Sequence, residues 1–261
     1  MGYDVSRFTQ TKVRSMPVIL LLDVSDSMNI VEGGDYVRTG KFEETDGHKV
    51  EIVTGNTITR IDYLNKSVTA MLKAFQAQAN KQLPVQMCVI TFGEKVEQVM
   101  PLTNVLDIIS TEELSGSGNT PLKEALEKAK KLIEDKEQIT SKDYRPCVVL
   151  VSDGEANPGW ENTLDKFISD GRSSKCDRWA VSISKDADKN MLRKFAGNEE
   201  QLLEADEAEK IAECFKLITM SVLIRSKSQN PNELVALAIE DKSKSAAQIE
   251  QEARISSLFQ I

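Results

Sequence analysis

The chain has one histidine in 261 residues, His48, and that scarcity removes more chemistry than any other feature of its composition. A serine hydrolase needs a histidine base and most zinc enzymes need several imidazoles, so neither can be built around one side chain. Cysteine does not fill the gap. Cys88, Cys147, Cys176 and Cys214 are dispersed without CxxC spacing, two of them inside apolar strand-like runs, and they read as buried reduced thiols serving as small hydrophobes. No apolar run approaches the roughly 18 residues of a spanning helix. The start "MGYDVSRFTQTKVRSMP" lacks the apolar core of a secretory signal, so the expected location is the cytoplasm. "MGYDVS" fits the loose myristoylation pattern through Gly2 and Ser6, but no polybasic patch accompanies it and lipid anchoring is not expected. Positive charge is also short. The balance of 33 basic against 41 acidic residues, net −8, opposes a broad nucleic-acid or anionic-membrane surface. A phosphate-binding GxxxxGKS or GxxxxGKT loop is missing, and "GSGNTP" (116–121) holds only a fragment of one.

What is present is a set of continuous apolar runs. "VILLLDV" (18–24), "VQMCVITF" (85–92) and "CVVLVSD" (147–153) do not alternate, as expected of strands buried on both faces of a parallel sheet. "VEQVMPLT" (96–103) alternates and carries Pro101, which suits an edge strand. "RWAVSIS" (178–184) and "QLLEA" (201–205) bring the set to six. Helical patterns at 61–80, 121–137, 161–171, 188–196 and 207–222 lie between them. This alternation predicts a doubly wound α/β sheet with helices on both faces. The step from 92 to 96 is too short for a crossover helix, so that pair is expected to be an antiparallel hairpin at one edge.

Two segments fall outside this plan. Residues 30–60 stand between the first strand and its helix, and "KVEIV" and "TITRI", with turn signals at Asp46-Gly47 and "TGNT", predict a small β-ribbon. The division expected is a domain over 15–225 and an extension over 226–261. The extension is rich in Ser, Gln, Glu and Lys, with weak helical patterns at "NELVALAIEDK" and "AAQIEQEARISSLF". No internal repeat is evident.

The first apolar run ends on Asp23. A carboxylate closing a strand buried on both faces is costly to desolvate, and a cation is the direct compensator. The oxygens of Asp23, Ser25 and Ser27 suit a hard ion, Mg2+ or Mn2+, rather than zinc. Thr120, before Pro121, and Asp153, at the end of another buried strand, lie on loops that line the crevice of such a sheet. Each feature also has a plain structural explanation: an Asx-turn for D-x-S-x-S, a helix cap for Thr120-Pro121, and a tight turn for Asp153-Gly154.

Asp23, Ser25 and Ser27 as D-x-S-x-S, then Thr120, then Asp153 in "SDG", resemble the metal-ion-dependent adhesion site (MIDAS) of the von Willebrand factor type A (VWA) family. "LPVQMCVITFGEKVEQVMPLT" and "LSGSGNTPLKEAL" are similar to bacterial tellurium-resistance VWA proteins, a branch associated with kinase and phosphatase partners in stress response and phage defence. The resemblance implies a six-stranded sheet of order 3-2-1-4-5-6 with strand 3 antiparallel. It also implies a metal held directly by Ser25 and Ser27, with Thr120, Asp23 and Asp153 binding directly or through water. Two carboxylates only neutralise a divalent ion, so a vacant coordination position would attract an acidic residue of a protein partner. Asp26, Asn29, Gly118, Asn119, Gly154 and Glu155 are the candidate partner-facing residues, and Asp26 is expected to point away from the metal and bond loop amides.

Two rival functions share parts of this pattern. A Mg2+ phosphohydrolase of the haloacid-dehalogenase type also uses an Asp at the end of its first strand, but it needs a second acid two residues later, where Ser25 stands. No catalytic residue is therefore assigned, and an enzyme is not expected. The other rival is a metal-independent scaffold acting through the insertion or the tail. The insertion leaves the D-x-S-x-S loop directly, so it could extend the binding face or cap it, a cap requiring an acid such as Asp35, Glu43 or Glu44 near the ion.

Overall fold

The computed structural model describes residues 14–45, 48–78, 84–185, 187–207, 210–228, 230–232 and 253–260. Gly2, Ser6, the Asp46-Gly47 turn and nearly all of "NELVALAIEDK" lie outside these residues, as does the side chain of His48.

The element order is β1 (Met16–Asp23), β2 (Val31–Thr45), β3 (His48–Thr59), α1 (Arg60–Gln78), β4 (Val85–Phe92), β5 (Val96–Asn104), α2 (Leu122–Glu134), β6 (Cys147–Ser152), α3 (Glu161–Ser169), β7 (Asp177–Ile183), α4 (Lys189–Ala196), β8 (Leu202–Ala205) and α5 (Ile211–Lys227). Six strands form one sheet in the order β5-β4-β1-β6-β7-β8. All neighbours are parallel except β4 and β5, the hairpin expected at the edge. With the ribbon strands set aside, this is the order 3-2-1-4-5-6.

The reason β1 reads as an unbroken apolar run is visible in its two faces. Val18, Leu20 and Leu22 join the apolar cluster under α1 and α5, whereas Ile19 and Leu21 join the cluster under α2, α3 and α4. Every residue of β1 is buried, and each fully buried Leu or Ile contributes about 1.5–3 kcal/mol of transfer free energy. The four cysteines are buried and free, and burial pushes the thiols of Cys88, Cys176 and Cys214 up to about 12. Ile255 and Phe259 of the C-terminal segment are buried in the cluster that holds α1 and α5. Among the described residues no helix is long and apolar enough to cross a membrane.

The insertion forms a two-stranded antiparallel ribbon, β2 with β3, separate from the main sheet. One expectation is corrected here. "TGNT" is not a turn, because Gly55 lies inside β3 opposite Tyr36, and "KVEIV" and most of "TITRI" belong to one continuous strand. Gly55 has φ +120, and a Cβ there would sit 2.4 Å from the Asp35 carbonyl oxygen. The glycine that resembled a turn signal serves a close backbone approach between paired strands.

The helices on the two faces decide where the crevice opens. Leaving β1, the chain reaches β4 through α1 on one face, whereas β6 is reached through α2 on the other. The strand order therefore switches beside β1, and the C-terminal ends of β1 and β6 face an open crevice.

Candidate metal centre

Asp23 and Asp153 arrive at this crevice from adjacent strand ends. Asp23 closes β1 and is fully buried, with Oδ1 accepting the Ser25 N–H at 3.0 Å and Oδ2 accepting the Ser152 hydroxyl at 2.6 Å. Burial, and then the negative charge of Asp153, push the Asp23 carboxyl up to about 6, and the bonds from Ser152 and Ser25 pull it only part of the way back. Such a carboxylate lacks positive charge.

The Ser25–Asp23 bond is an Asx-turn, as the plain explanation of the motif anticipates. The turn does more than end the strand. It sends the chain into a 3-10 turn over Asp26–Asn29 and turns the two hydroxyls toward Asp153. Ser27 Oγ donates to Asp153 Oδ1 at 2.7 Å, and Ser25 Oγ lies 3.0 Å from Ser27 Oγ. Since the Ser27 proton is engaged by Asp153, the proton between the two serines comes from Ser25.

The third wall is the loop before α2. Gly118 carbonyl accepts the Asp26 N–H at 2.9 Å, Ser117 N–H donates to Val24 carbonyl at 2.7 Å, and Asn29 Nδ2 donates to Gly116 carbonyl at 3.0 Å. Gly118 has φ +75, and a Cβ there would lie 2.5 Å from Glu94 Cα, so only glycine lets this loop approach. Two residues on, Thr120 is buried, its backbone held on both sides by Asn157: the Thr120 N–H donates to Asn157 Oδ1 at 3.3 Å and its carbonyl accepts the Asn157 N–H at 2.9 Å. The helix-cap explanation of Thr120 fails, because α2 begins at Leu122 with no side-chain cap bond.

The crevice contains a cation that sequence reasoning missed. Arg60, the first residue of α1, donates through Nη1 to Asp153 Oδ2 at 2.9 Å, and its Nε and Nη2 lie 2.8 and 2.7 Å from Glu32 Oε1. Burial opposes its charge, but the bonds to Asp153 and Glu32 outweigh that and hold the guanidinium above its ordinary range.

The donor set fits a hard divalent ion. Two buried carboxylates and the hydroxyls beside them supply oxygen only, although one of the acids, Asp153, is already shared with the Arg60 guanidinium. Among the described residues no group of three or more His, Cys, Asp or Glu side chains is arranged to hold a metal, so any ion here would draw on other oxygen donors as well.

A family model described as von Willebrand factor type A domain matches residues 18–155, the stretch from β1 to just past Asp153. The chain belongs to the von Willebrand factor type A family. Solved structures share the fold. Proximal thread matrix protein 1 from the mussel byssus matches at 15% identity and TM-score 0.54, over 81% of this chain and 48% of that one. The same protein with a zinc-occupied MIDAS motif matches at 14% identity and TM-score 0.53, over 81% and 48%. A von Willebrand factor type A protein from Catenulispora acidiphila matches at 15% and 0.52, over 80% and 42%. The chain therefore spans about half the length of these proteins or less. No curated protein matches it at a significant level.

In this VWA domain Asp23, Ser25, Ser27 and Asp153 are joined by one hydrogen-bond network, and Thr120 follows the loop stitched to it. Asp26 is exposed, and its bond to the loop is made by its backbone N–H, which donates to the Gly118 carbonyl, and not by its carboxylate. Asn29, Asn119 and Glu155 are exposed, and Gly118 and Gly154 are half-buried. Asp35, Glu43 and Glu44 are exposed on the ribbon and make no hydrogen bond to the site; the acid from the insertion that reaches toward it is Glu32, through Arg60. Arg60 did carry a local signal. A basic residue at the first position of a helix, where the dipole favours acids, needs another reason to be there.

Proposed function

We propose that the chain is a protein-interaction module that uses a divalent cation, Mg2+ or Mn2+, to capture an acidic residue of a partner. The observation that carries this reading is the network of Asp23, Ser25, Ser27 and Asp153 at the switch point of a VWA sheet. Ser25 and Ser27 would hold the ion directly, with Thr120, Asp23 and Asp153 as the remaining donors. When bound, the ion supplies a Lewis-acidic position for a carboxylate oxygen. The residues of the chain do the rest: Asp23 and Asp153 supply compensating charge, the Asx-turn aims the two hydroxyls, and the Gly118 loop leads into buried Thr120. The zinc-occupied MIDAS of the mussel protein supports a divalent ion in this fold.

Exposed Asp26, Asn29, Asn119 and Glu155, with Gly118 and Gly154, form the partner-facing rim in this reading. The partner class we favour is a kinase or phosphatase of a bacterial stress-response or phage-defence system, supported by the likeness to tellurium-resistance proteins. Residues 15–225 are read as the VWA domain and 226–261 as its extension, acting in the cytoplasm without catalysis and without nucleic-acid or membrane binding. Titration with Mn2+ tests the site. Asp23→Ala and Asp153→Ala should abolish binding, and partner co-purification should require Mg2+ and fail in EDTA.

A metal-independent scaffold is the second reading, favoured by Val37 and Phe42, which are 68% and 59% exposed on the ribbon. Partner capture that persists unchanged in EDTA would select it.

A further inference from the structure

We propose that Arg60 is a built-in counter-cation of the metal crevice: it holds Asp153 in the absence of a divalent ion and weakens that ion's binding, to a degree set by Glu32. This rests on the reading of Asp23, Ser25, Ser27 and Asp153 as metal donors, and it adds a residue outside the motif.

Local structure explains how Arg60 reaches the crevice. Thr59 and Asp62 form a capping box in which the Thr59 N–H and hydroxyl donate to Asp62 Oδ2 at 2.8 and 2.7 Å, so α1 starts at Arg60. At that position the helix dipole repels a cation and the capping box needs nothing from it. The side chain is nonetheless 9% exposed, and a buried guanidinium persists only where its donors are matched by acceptors. The matching acceptors are Asp153 and Glu32.

Asp153 divides its two oxygens. Oδ1 accepts from Ser27 on the hydroxyl side, and Oδ2 takes the guanidinium on the other. A divalent ion bound among the serine hydroxyls would share this carboxylate with a fixed positive charge. Charges that close, in surroundings far less polarisable than water, repel strongly. Glu32 limits the effect. It lies on the far side of Arg60, its side chain 27% exposed, and offsets part of the guanidinium charge. The metal-face charges are thus Asp23 and Asp153 against the incoming ion plus Arg60, with Glu32 as the adjustable member.

Two variants are expected to move metal affinity in opposite directions. Arg60→Met removes the competing charge and should tighten Mn2+ binding about tenfold or more; Glu32→Gln leaves Arg60 uncompensated and should weaken it several-fold. Calorimetric titration of the full chain with Mn2+ reads both, with circular dichroism checking that each variant is folded. Should Arg60→Met fail to fold without metal, Glu32→Gln, which changes a part-exposed residue, still decides the matter. Equal or weaker binding by a folded Arg60→Met, or unchanged binding by Glu32→Gln, overturns the proposal while leaving the metal site standing. Binding by Arg60→Met where the unmodified chain binds none supports it. If neither binds Mn2+, the metal reading fails and the proposal with it.

Discussion

Replacing Asp23 with Asn should make the metal-free protein more stable while destroying its metal site. Burial and the charge of Asp153 raise the Asp23 carboxyl from 3.8 to about 6. A folded-state value above the unfolded one means that the folded chain holds this proton more tightly. The stability so gained is present below pH 3.8 and is lost as the pH climbs to about 6. At about 1.4 kcal/mol per pH unit, the carboxylate costs the fold about 3 kcal/mol above that range. Asn removes the charge and keeps the geometry: its oxygen can still accept from Ser25 N–H, and its amide can donate to Ser152 Oγ. Urea denaturation in EDTA at pH 8 should therefore find Asp23→Asn more stable by about 2–3 kcal/mol, with the difference vanishing near pH 4. With Mn2+ at a hundred times its dissociation constant the original chain should gain about 2.7 kcal/mol, and the variant nothing. A variant less stable than the original in EDTA at pH 8, or a gain that is the same at both pH values, would refute the reasoning.

Other perturbations separate fold from site. Arg225 is fully buried, with Nη1 2.5 Å from Asp177 Oδ2 and its other nitrogens donating to the Pro231 and Arg145 carbonyls, so Arg225→Met should cost about 3–5 kcal/mol in urea denaturation by stranding Asp177. Gly118→Ala should cost about 1–3 kcal/mol and also weaken Mn2+ binding in calorimetry, since φ +75 and the contact with Glu94 force the loop off Asp26. Trimming the ribbon by removing residues 36–55 keeps Glu32 and Arg60; Mn2+ affinity should hold while partner affinity, measured by surface plasmon resonance, falls. A rise in partner affinity would instead make the ribbon a cap.

The sheet was legible because its signal is local to each strand. A strand covered on both faces, such as "VILLLDV", needs apolar residues at every position, and no other common element combines that pattern with such short length. The ribbon is legible as a ribbon, but "TGNT" resembles a turn, because a glycine that serves close backbone approach and one that serves a turn look identical in sequence. Of the metal-site candidates, Asp23, Ser25 and Ser27 could be grouped because five consecutive positions bring them together, and Asp153 because it closes a second buried strand.

Arg60 and Glu32 are of another kind. They are 28 residues apart, and Arg60 is 93 residues from Asp153. Nothing in their spacing joins them; the pairing of β2 with β3 returns the chain to the crevice and the Thr59-Asp62 cap aims Arg60 into it. The orientation of Asp26 was likewise decided by tertiary contact, since the Gly118 carbonyl takes its N–H and leaves the carboxylate to solvent. By itself the sequence determined the sheet, the family likeness and the oxygen-rich motif, all of which depend on residue type at short range. Which charges share the crevice depends on groups brought close by folding, and Coulomb energies follow distance in space, not distance along the chain.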